Sequence, residues 1–555
     1  MNRNYVNIRY KSVIRDIKNW PLVKITRSKS HLISLVVNEA YSNLTVNPDP
    51  SNIAHILKSS VDKEYHRAKT NKWAIDPDFE VSFWEEIQNT LKPSVEKNEF
   101  EKNAINEALL RKIIEKYVNE ISTNFILFRY HVARIIMTSV LSVLLNSFGI
   151  YRLLSLLQNK FSINRKIQIK GSVEQLRQLT KIGTIVLVPT HLSHLDSSLF
   201  VWALHRIGLP PFLYGAGLNL FNNKIFTYFK DTVGIYKVDR RKKNRIYLEC
   251  LKSFSSLALQ KDCHSLFFPG GTRSRSGEVE QELKLGLIKA TIEAQRKKFL
   301  STNSIVNDKI FVIPVALNYN FVLDAPELID DFLKSKKIEI KKPTRFSNTK
   351  KTYKLINDFF TKKSSIIINI GNAIDVFGNE VNTKGDSLDN NGIQIDVDKL
   401  LLADEKQFNK YKQESAILLT QKIIQSFFQN TIILASHLVA FAAFKLLEKQ
   451  NPMESLSEIL NLSEEKATIS VTQLQNEIDF QLNEIVKIGE ILLDESLVDS
   501  NTNIDIIKTG IQNLGFYHYH PPLKLEGIGK IKVSNSSLLY YYHNKLNSCF
   551  NNYKD

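Results

Sequence analysis

Thr184-Ile-Val-Leu-Val-Pro-Thr-His-Leu-Ser-His-Leu-Asp-Ser-Ser198 is the stretch on which the reading of this chain turns. Thr184 to Val188 is apolar and β-branched, the pattern of a short buried strand. Pro189 ends the run, and residues that favour helix N-termini follow at once. His191 and Asp196 fall in this strand-to-helix corner. Their spacing is wrong for one face of a continuous helix, where positions i+3 and i+4 are the neighbours. The two side chains meet only if His191 lies in the turn and Asp196 on the first helical turn. A neutral imidazole held in one tautomer by a carboxylate is the usual arrangement of a general base. Taken alone, the pair reads equally well as one satisfied histidine and one helix-capping aspartate.

The surroundings decide between these. From Lys166 to about Ile374, strand candidates (Thr184 to Val188, Ser265 to Phe268, Ile310 to Val315, Ile366 to Ile370) alternate with helical patterns such as Asn244 to Gln260 and Leu283 to Lys297. Strands alternating with helices imply an α/β layer architecture. Polar motifs follow the strands, where open α/β sheets place their ligands. They are Gly215-Ala-Gly-Leu-Asn219 with Gly234-Ile-Tyr-Lys-Val-Asp-Arg240, then Phe268-Pro-Gly-Gly-Thr-Arg273-Ser-Arg275-Ser-Gly277, then Val312-Ile-Pro-Val-Ala-Leu-Asn-Tyr319.

Four motifs in this order resemble the glycerolipid acyltransferase family, whose first motif is His-x4-Asp. The likeness is greatest to the glycerol-3-phosphate acyltransferases of the bacterial membrane-associated type, and it extends over roughly residues 125 to 555. It implies an acyltransferase core of mixed or parallel sheet flanked by helices. The implied reaction moves a fatty acyl group from acyl-CoA or acyl carrier protein to the sn-1 hydroxyl of glycerol 3-phosphate, giving lysophosphatidate. Lysophosphatidate and dihydroxyacetone phosphate are the alternative acceptors. His191, oriented by Asp196, is the implied base. Arg240, Gly271, Arg273, Arg275 and Lys284 are the implied substrate-binding residues, and Gly234 and Pro314 the implied acyl-binding ones. Neither a metal nor a cofactor is expected. One departure stands out: relatives commonly carry Glu where this chain has Gly270, so the carboxylate is either dispensed with or supplied elsewhere.

The residues agree with that chemistry. Attack of a hydroxyl on a thioester needs a base, and no Ser or Cys stands in a motif with a base of its own, so direct transfer is the simpler course. Arg273 and Arg275 in a Gly-flanked loop offer charged donors in fork geometry to a phosphate dianion. Backbone N–H groups near a helix N-terminus are the expected oxyanion donors. Arg241, Lys242 and Lys243 are expected to be simply exposed. Two other classes compete. His191-x-x-His194-x-Asp196 offers metal ligands, but its spacing is one residue too long for the metallo-β-lactamase pattern, and no further cluster completes a site. A membrane-binding scaffold that has lost activity is the other, made conceivable by Gly270.

Composition sets the remaining bounds. A 43% hydrophobic and 24% charged share is that of an ordinary folded protein, and 555 residues suit two to four domains. A net charge of +17 calls for an anionic partner. With no zinc-finger spacing and no aromatic-and-basic signature, nucleic acid is excluded in favour of anionic membrane lipid and phosphorylated substrates. Three scattered cysteines imply a reducing compartment and no disulfide framework. The N-terminus has no apolar core and does not read as a signal peptide.

Residues 1–124 read as a helical accessory domain, clearest from Glu101 to Ile121. Residues 125–160 read as amphipathic, membrane-associated helices, and from pattern alone equally well as a helix hairpin buried in the protein. The nearly all-apolar run from Ile135 to Leu145 is too short for a span of about 20 residues, and Arg129, Arg134, Arg152 and Lys160 flank it. Residues 161–400 form the α/β domain and 401–555 a C-terminal helical region, with Thr431 to Leu447 a core helix. The basic stretch 331–362 reads as a solvated loop, and Asn379 to Asp396 as a linker. The expected location is the cytoplasmic side of the cell inner membrane, held peripherally or monotopically.

Overall fold

A computed structural model describes residues 10–45, 50–92, 98–145, 166–218, 233–301, 308–340, 365–463, 465–498, 502–515, 518, 520–527 and 529–554. Most of the basic stretch 331–362 and the second half of the expected membrane helix pair, with Arg152 and Lys160, lie outside the described residues.

Seven strands make the central sheet: β1 (Ile167–Gly171), β2 (Gly183–Pro189), β3 (Leu213–Gly217), β4 (Ile235–Val238), β5 (Ser265–Leu266), β6 (Lys309–Tyr319) and β7 (Ile366–Ile370). Their order is β1-β7-β6-β2-β5-β3-β4. The five from β6 to β4 run parallel, whereas β7 is antiparallel to β6 and pairs parallel with β1. Every residue of β2, and all of β6 after Lys309, is buried. Strands covered on both faces read as continuous apolar runs, which is why these two were legible in sequence.

The N-terminal region packs α2 (Lys29–Thr45), α3 (Pro50–Thr70), α4 (Glu80–Thr90) and α5 (Glu99–Ile121) on one another and on α9 (Arg245–Gln260). Asn98 and Glu101 close a capping box at the start of α5, and Asn244 caps α9. The region is locked to the sheet by buried charge, which corrects the expectation that Arg241 and Lys242 are exposed. Arg241 bonds Asp76 and Asp239 at 2.6 and 2.7 Å, and Lys242 bonds Glu120 at 2.5 Å. Both side chains are almost completely buried, while Lys243 is exposed as expected. Charges this deep are retained only when paired, because desolvation outweighs an unpaired charge's other gains.

The C-terminal region is less purely helical than its periodicity implied. Alongside α12 (Glu405–Asn430), α13 (Ala435–Gln450), α14 (Val471–Ile488), α15 (Asn503–Leu514) and α16 (Ser536–Lys554), it holds a three-stranded antiparallel sheet of Thr468–Ser470, Leu523–Glu526 and Lys530–Val533. α13 is buried from Ala435 to Phe444 and packs on α16, α15 and α14, so it is a core helix. The expected linker from Asn379 is instead an ordered hairpin of Glu380–Val381 and Ser387–Leu388, tied down by Lys309 Nζ donating to the Gly385 carbonyl at 2.8 Å. Its Asn and Asp residues form local turns, as in Asn382 accepting from Lys384 and Asp386 backbone N–H groups. Polar composition was therefore a turn signal there, not a disorder signal.

Candidate active site

The C-terminal ends of β2 to β6 converge on one cavity of about 230 Å³, lined by His191, His194, Ser197, Gly215 to Gly217, Arg240, Phe268, Thr272, Arg273, Arg275, Leu328 and Asp331. This is the crevice where parallel sheets hold ligands.

His191 stands in the turn after β2, and Asp196 is the first residue of α8 (Asp196–Arg206), the arrangement their spacing required. His191 Nδ1 lies 2.8 Å from Asp196 Oδ2. The same oxygen accepts the backbone N–H groups of Leu192 and Ser193 at 2.8 and 3.0 Å, and Tyr319 donates its hydroxyl to Oδ1 at 2.5 Å. Asp196 is fully buried, so these four donors replace its water. A carboxylate accepts only. The imidazole proton therefore sits on Nδ1, and the Nε2 lone pair is left for the cavity. Phe268 stacks on the ring at 4.0 Å with an interplanar angle of 19°, fixing its plane.

The corner's amides are fully used. His191 N–H donates to Glu280 Oε1 at 2.9 Å, those of Leu192 and Ser193 to Asp196, and that of His194 to Asp324 at 2.9 Å. Leu195 and Asp196 N–H groups turn back to Ser193. Each N–H of residues 191–196 thus has an acceptor within the protein.

Arg273 shares the cavity wall with His194 and bonds Asp324 Oδ2 at 2.8 Å. Partial burial, then the Arg273 charge, lowers the pKa of His194. His194 lines the same cavity as His191. Arg240 and Arg275 also line the cavity, and neither has a protein partner among the described residues. Burial and the nearby Arg273 lower the pKa of Arg240. Guanidinium groups gathered without their own carboxylates make an anion receptor.

The other expected site residues lie elsewhere. Gly271 has φ +76° and makes the turn that carries Thr272 and Arg273 into the cavity. Lys284 is exposed, lies along Gly271 and lines no part of the cavity. Gly234 is buried against Leu22 at the entry to β4, and Pro314 sits within β6 opposite Val188. Packing, not the cavity, occupies both. Sequence reasoning passed over Asp324, Glu280 and the hydroxyl of Tyr319. Only Tyr319 carried a signal, as the last residue of the fourth motif.

The loop of the third motif is pinned from two directions. Ser274 N–H donates to the His191 carbonyl at 2.8 Å, and α16 reaches in with Asn544 donating to the Ser276 carbonyl at 2.9 Å and Ser548 accepting from Val279 N–H at 3.2 Å. Among the described residues, no three His, Cys, Asp or Glu side chains gather as a metal site.

Residues 170–318 match the family model described as Acyltransferase. The chain is 27% identical over 187 residues to a glycerol-3-phosphate acyltransferase of Alteromonas mediterranea, covering 34% of this chain and 22% of that protein. Its likeness to a glycerol-3-phosphate acyltransferase of Pseudoalteromonas translucida is also 27%, covering 42% and 26%. A probable mitochondrial glycerol-3-phosphate acyltransferase of Caenorhabditis elegans is 28% identical, covering 32% and 24%. The matched segments thus span only about a quarter of these relatives' own lengths. The part of the chain that carries the histidine, the aspartate and the arginines at the ends of parallel strands, residues 170–318, is the part similar to the acyltransferase family.

Proposed function

We propose that this protein transfers a fatty acyl group from an acyl thioester, acyl-CoA or acyl carrier protein, to the sn-1 hydroxyl of glycerol 3-phosphate. The observation that carries this reading is a His191–Asp196 pair whose free Nε2 faces a cavity walled by Arg240 and Arg275. The acceptor's phosphate lies against the guanidinium groups, which places its hydroxyl near Nε2. As the hydroxyl oxygen attacks the thioester carbonyl, Nε2 takes its proton, and Asp196 stabilises the imidazolium. Collapse of the tetrahedral intermediate breaks the C–S bond, and the thiolate takes the proton back. The names of the relatives support glycerol 3-phosphate as acceptor. The purified protein, offered glycerol 3-phosphate, dihydroxyacetone phosphate and lysophosphatidate with each donor, should make lysophosphatidate fastest. No turnover with any pair would favour the scaffold reading.

Arginine substitutions separate binding from folding. Arg240→Ala should raise KM for glycerol 3-phosphate and lower kcat/KM roughly ten- to a hundredfold, since a charged hydrogen bond is worth about 1.5–3 kcal/mol. Its melting temperature should not move, because no protein group among the described residues is bonded to it. Arg273→Ala should show a similar KM effect and also melt earlier, because the partly buried Asp324 loses its ion pair. Wild-type acceptor affinity in both variants would misplace the phosphate.

Membrane attachment is part of the same proposal. No helix among the described residues is long and apolar enough to cross a membrane. α6 (Leu127–Leu145) nevertheless leaves Phe128 75%, Ile135 58% and Ile136 42% exposed, while Tyr130, Ala133 and Leu141 are buried. Such a face suits the interfacial plane of an anionic bilayer. In flotation, the protein should rise with anionic vesicles, and Phe128→Glu with Ile135→Glu should release it. Equal flotation of this variant would remove α6 as the anchor.

A further inference from the structure

Gly270 leaves a space that Glu280 fills from ten positions downstream. A Cβ built on Gly270 would stand 3.0 Å from Glu280 Cδ and Oε2 and 3.3 Å from Oε1. A glutamate at 270 would carry its carboxyl carbon two bonds beyond that Cβ, into the region Glu280 Cδ occupies. Oε1 accepts the His191 backbone N–H at 2.9 Å. Oε2 is buried and has no hydrogen-bond partner. Behind it, α16 places Lys545, fully enclosed with Nζ likewise without a hydrogen-bond partner. Burying a charge is expensive, and burial pushes both groups toward their neutral forms, Glu280 upward and Lys545 downward in pKa, while the His191 N–H holds Oε1 in place.

Resting on the acyltransferase reading above, we propose that Glu280 supplies the carboxylate that the third motif lacks at Gly270, and that it is a positioning residue for His191. It fixes the backbone of the base, as Asp196 and Phe268 fix its ring. Burial raises the Glu280 pKa to about 8 against the pull of the His191 N–H and Lys545, so near neutral pH the group keeps its proton, and Oε1 accepts the His191 N–H in either protonation state.

The test is to move the carboxylate. In the full-length protein, Glu280→Ala should lower kcat roughly 10–100-fold, the usual loss when a supporting partner of a catalytic group is removed. KM for glycerol 3-phosphate should stay within about threefold, because the arginines are untouched. Gly270→Glu combined with Glu280→Ala should return kcat to within about threefold of wild type, since the carboxylate is restored to the same space. If the single variant does not fold, the double variant alone decides. Recovery of both fold and rate supports positioning. A double variant that folds with unrecovered kcat, or that fails to fold, overturns the proposal, as does wild-type kcat in Glu280→Ala. An inactive wild-type protein would instead sink the acyltransferase reading itself.

Discussion

His191→Ala should lower kcat roughly 10²–10⁴-fold in a chain that still folds. The ring is a cavity wall, not a core strut, and Asp196 keeps three of its four donors when the ring goes. Asp196→Asn should be damaging by a different path. An amide presents one oxygen where the carboxylate presents two, so its NH₂ group must face either Tyr319 O–H or the group of His191 Nδ1 and two backbone N–H donors. Either the ring changes tautomer and Nε2 loses its lone pair, or a buried donor is orphaned at about 1–3 kcal/mol. His194→Ala is the internal comparison. Its ring shares the cavity but makes no bond to Asp196, and the backbone contact to Asp324 survives the substitution. Its loss should be distinctly smaller. Steady-state kinetics on the three variants, with circular dichroism to confirm folding, reads the difference. Equal losses at 191 and 194 restored by zinc would favour a metal site, and full activity in His191→Ala would end this mechanism.

The fold itself should be sensitive to mild acid. Burial first of all lowers the pKa values of His264, His437, His518 and His543 to about 3. Each is held neutral by its surroundings, as in His264 Nδ1 accepting Ile185 N–H at 3.1 Å and His543 stacking on Phe441 at 5.0 Å. Above the ordinary histidine value near 6.5 both folded and unfolded chains carry these rings neutral, and no stability depends on them. Below it the unfolded chain takes up protons and the folded chain does not until about pH 3. Unfolded chains then bind more protons, so stability falls as pH falls. At pH 5 each ring contributes a loss of about 2 kcal/mol, roughly 8 kcal/mol for the four. Glu280 works in the opposite sense. Its raised value means the folded chain holds a proton that the unfolded chain releases between about 4.5 and 8. Going from pH 7 to 5 that returns roughly 2 to 3 kcal/mol. The remaining loss is comparable to the whole stability of a typical domain. Melting temperature should therefore drop steeply between pH 7 and 5, and a flat profile across that window would refute the burial of these histidines.

The sequence by itself determined the α/β alternation, the buried strands β2 and β6, and the meeting of His191 with Asp196. All three rest on short-range physics. A doubly covered strand must be apolar throughout, and a strand-to-helix corner brings together side chains five positions apart. It also placed Arg240, Arg273 and Arg275 after strand ends, where the cavity lies. What only the tertiary structure decided is every contact between distant residues. Arg241 and Lys242 read as solvated charges because nothing near them in sequence announced Asp76, Glu80 or Glu120. Lys284 read as a ligand-binding lysine until the loop turned at Gly271 and left it outside. Glu280 looked like one acid among several in Glu278-Val-Glu-Gln-Glu282. Its role is visible only when the chain folds it back over a glycine, because a side chain's burial, and hence the worth of its charge, is set by what packs around it.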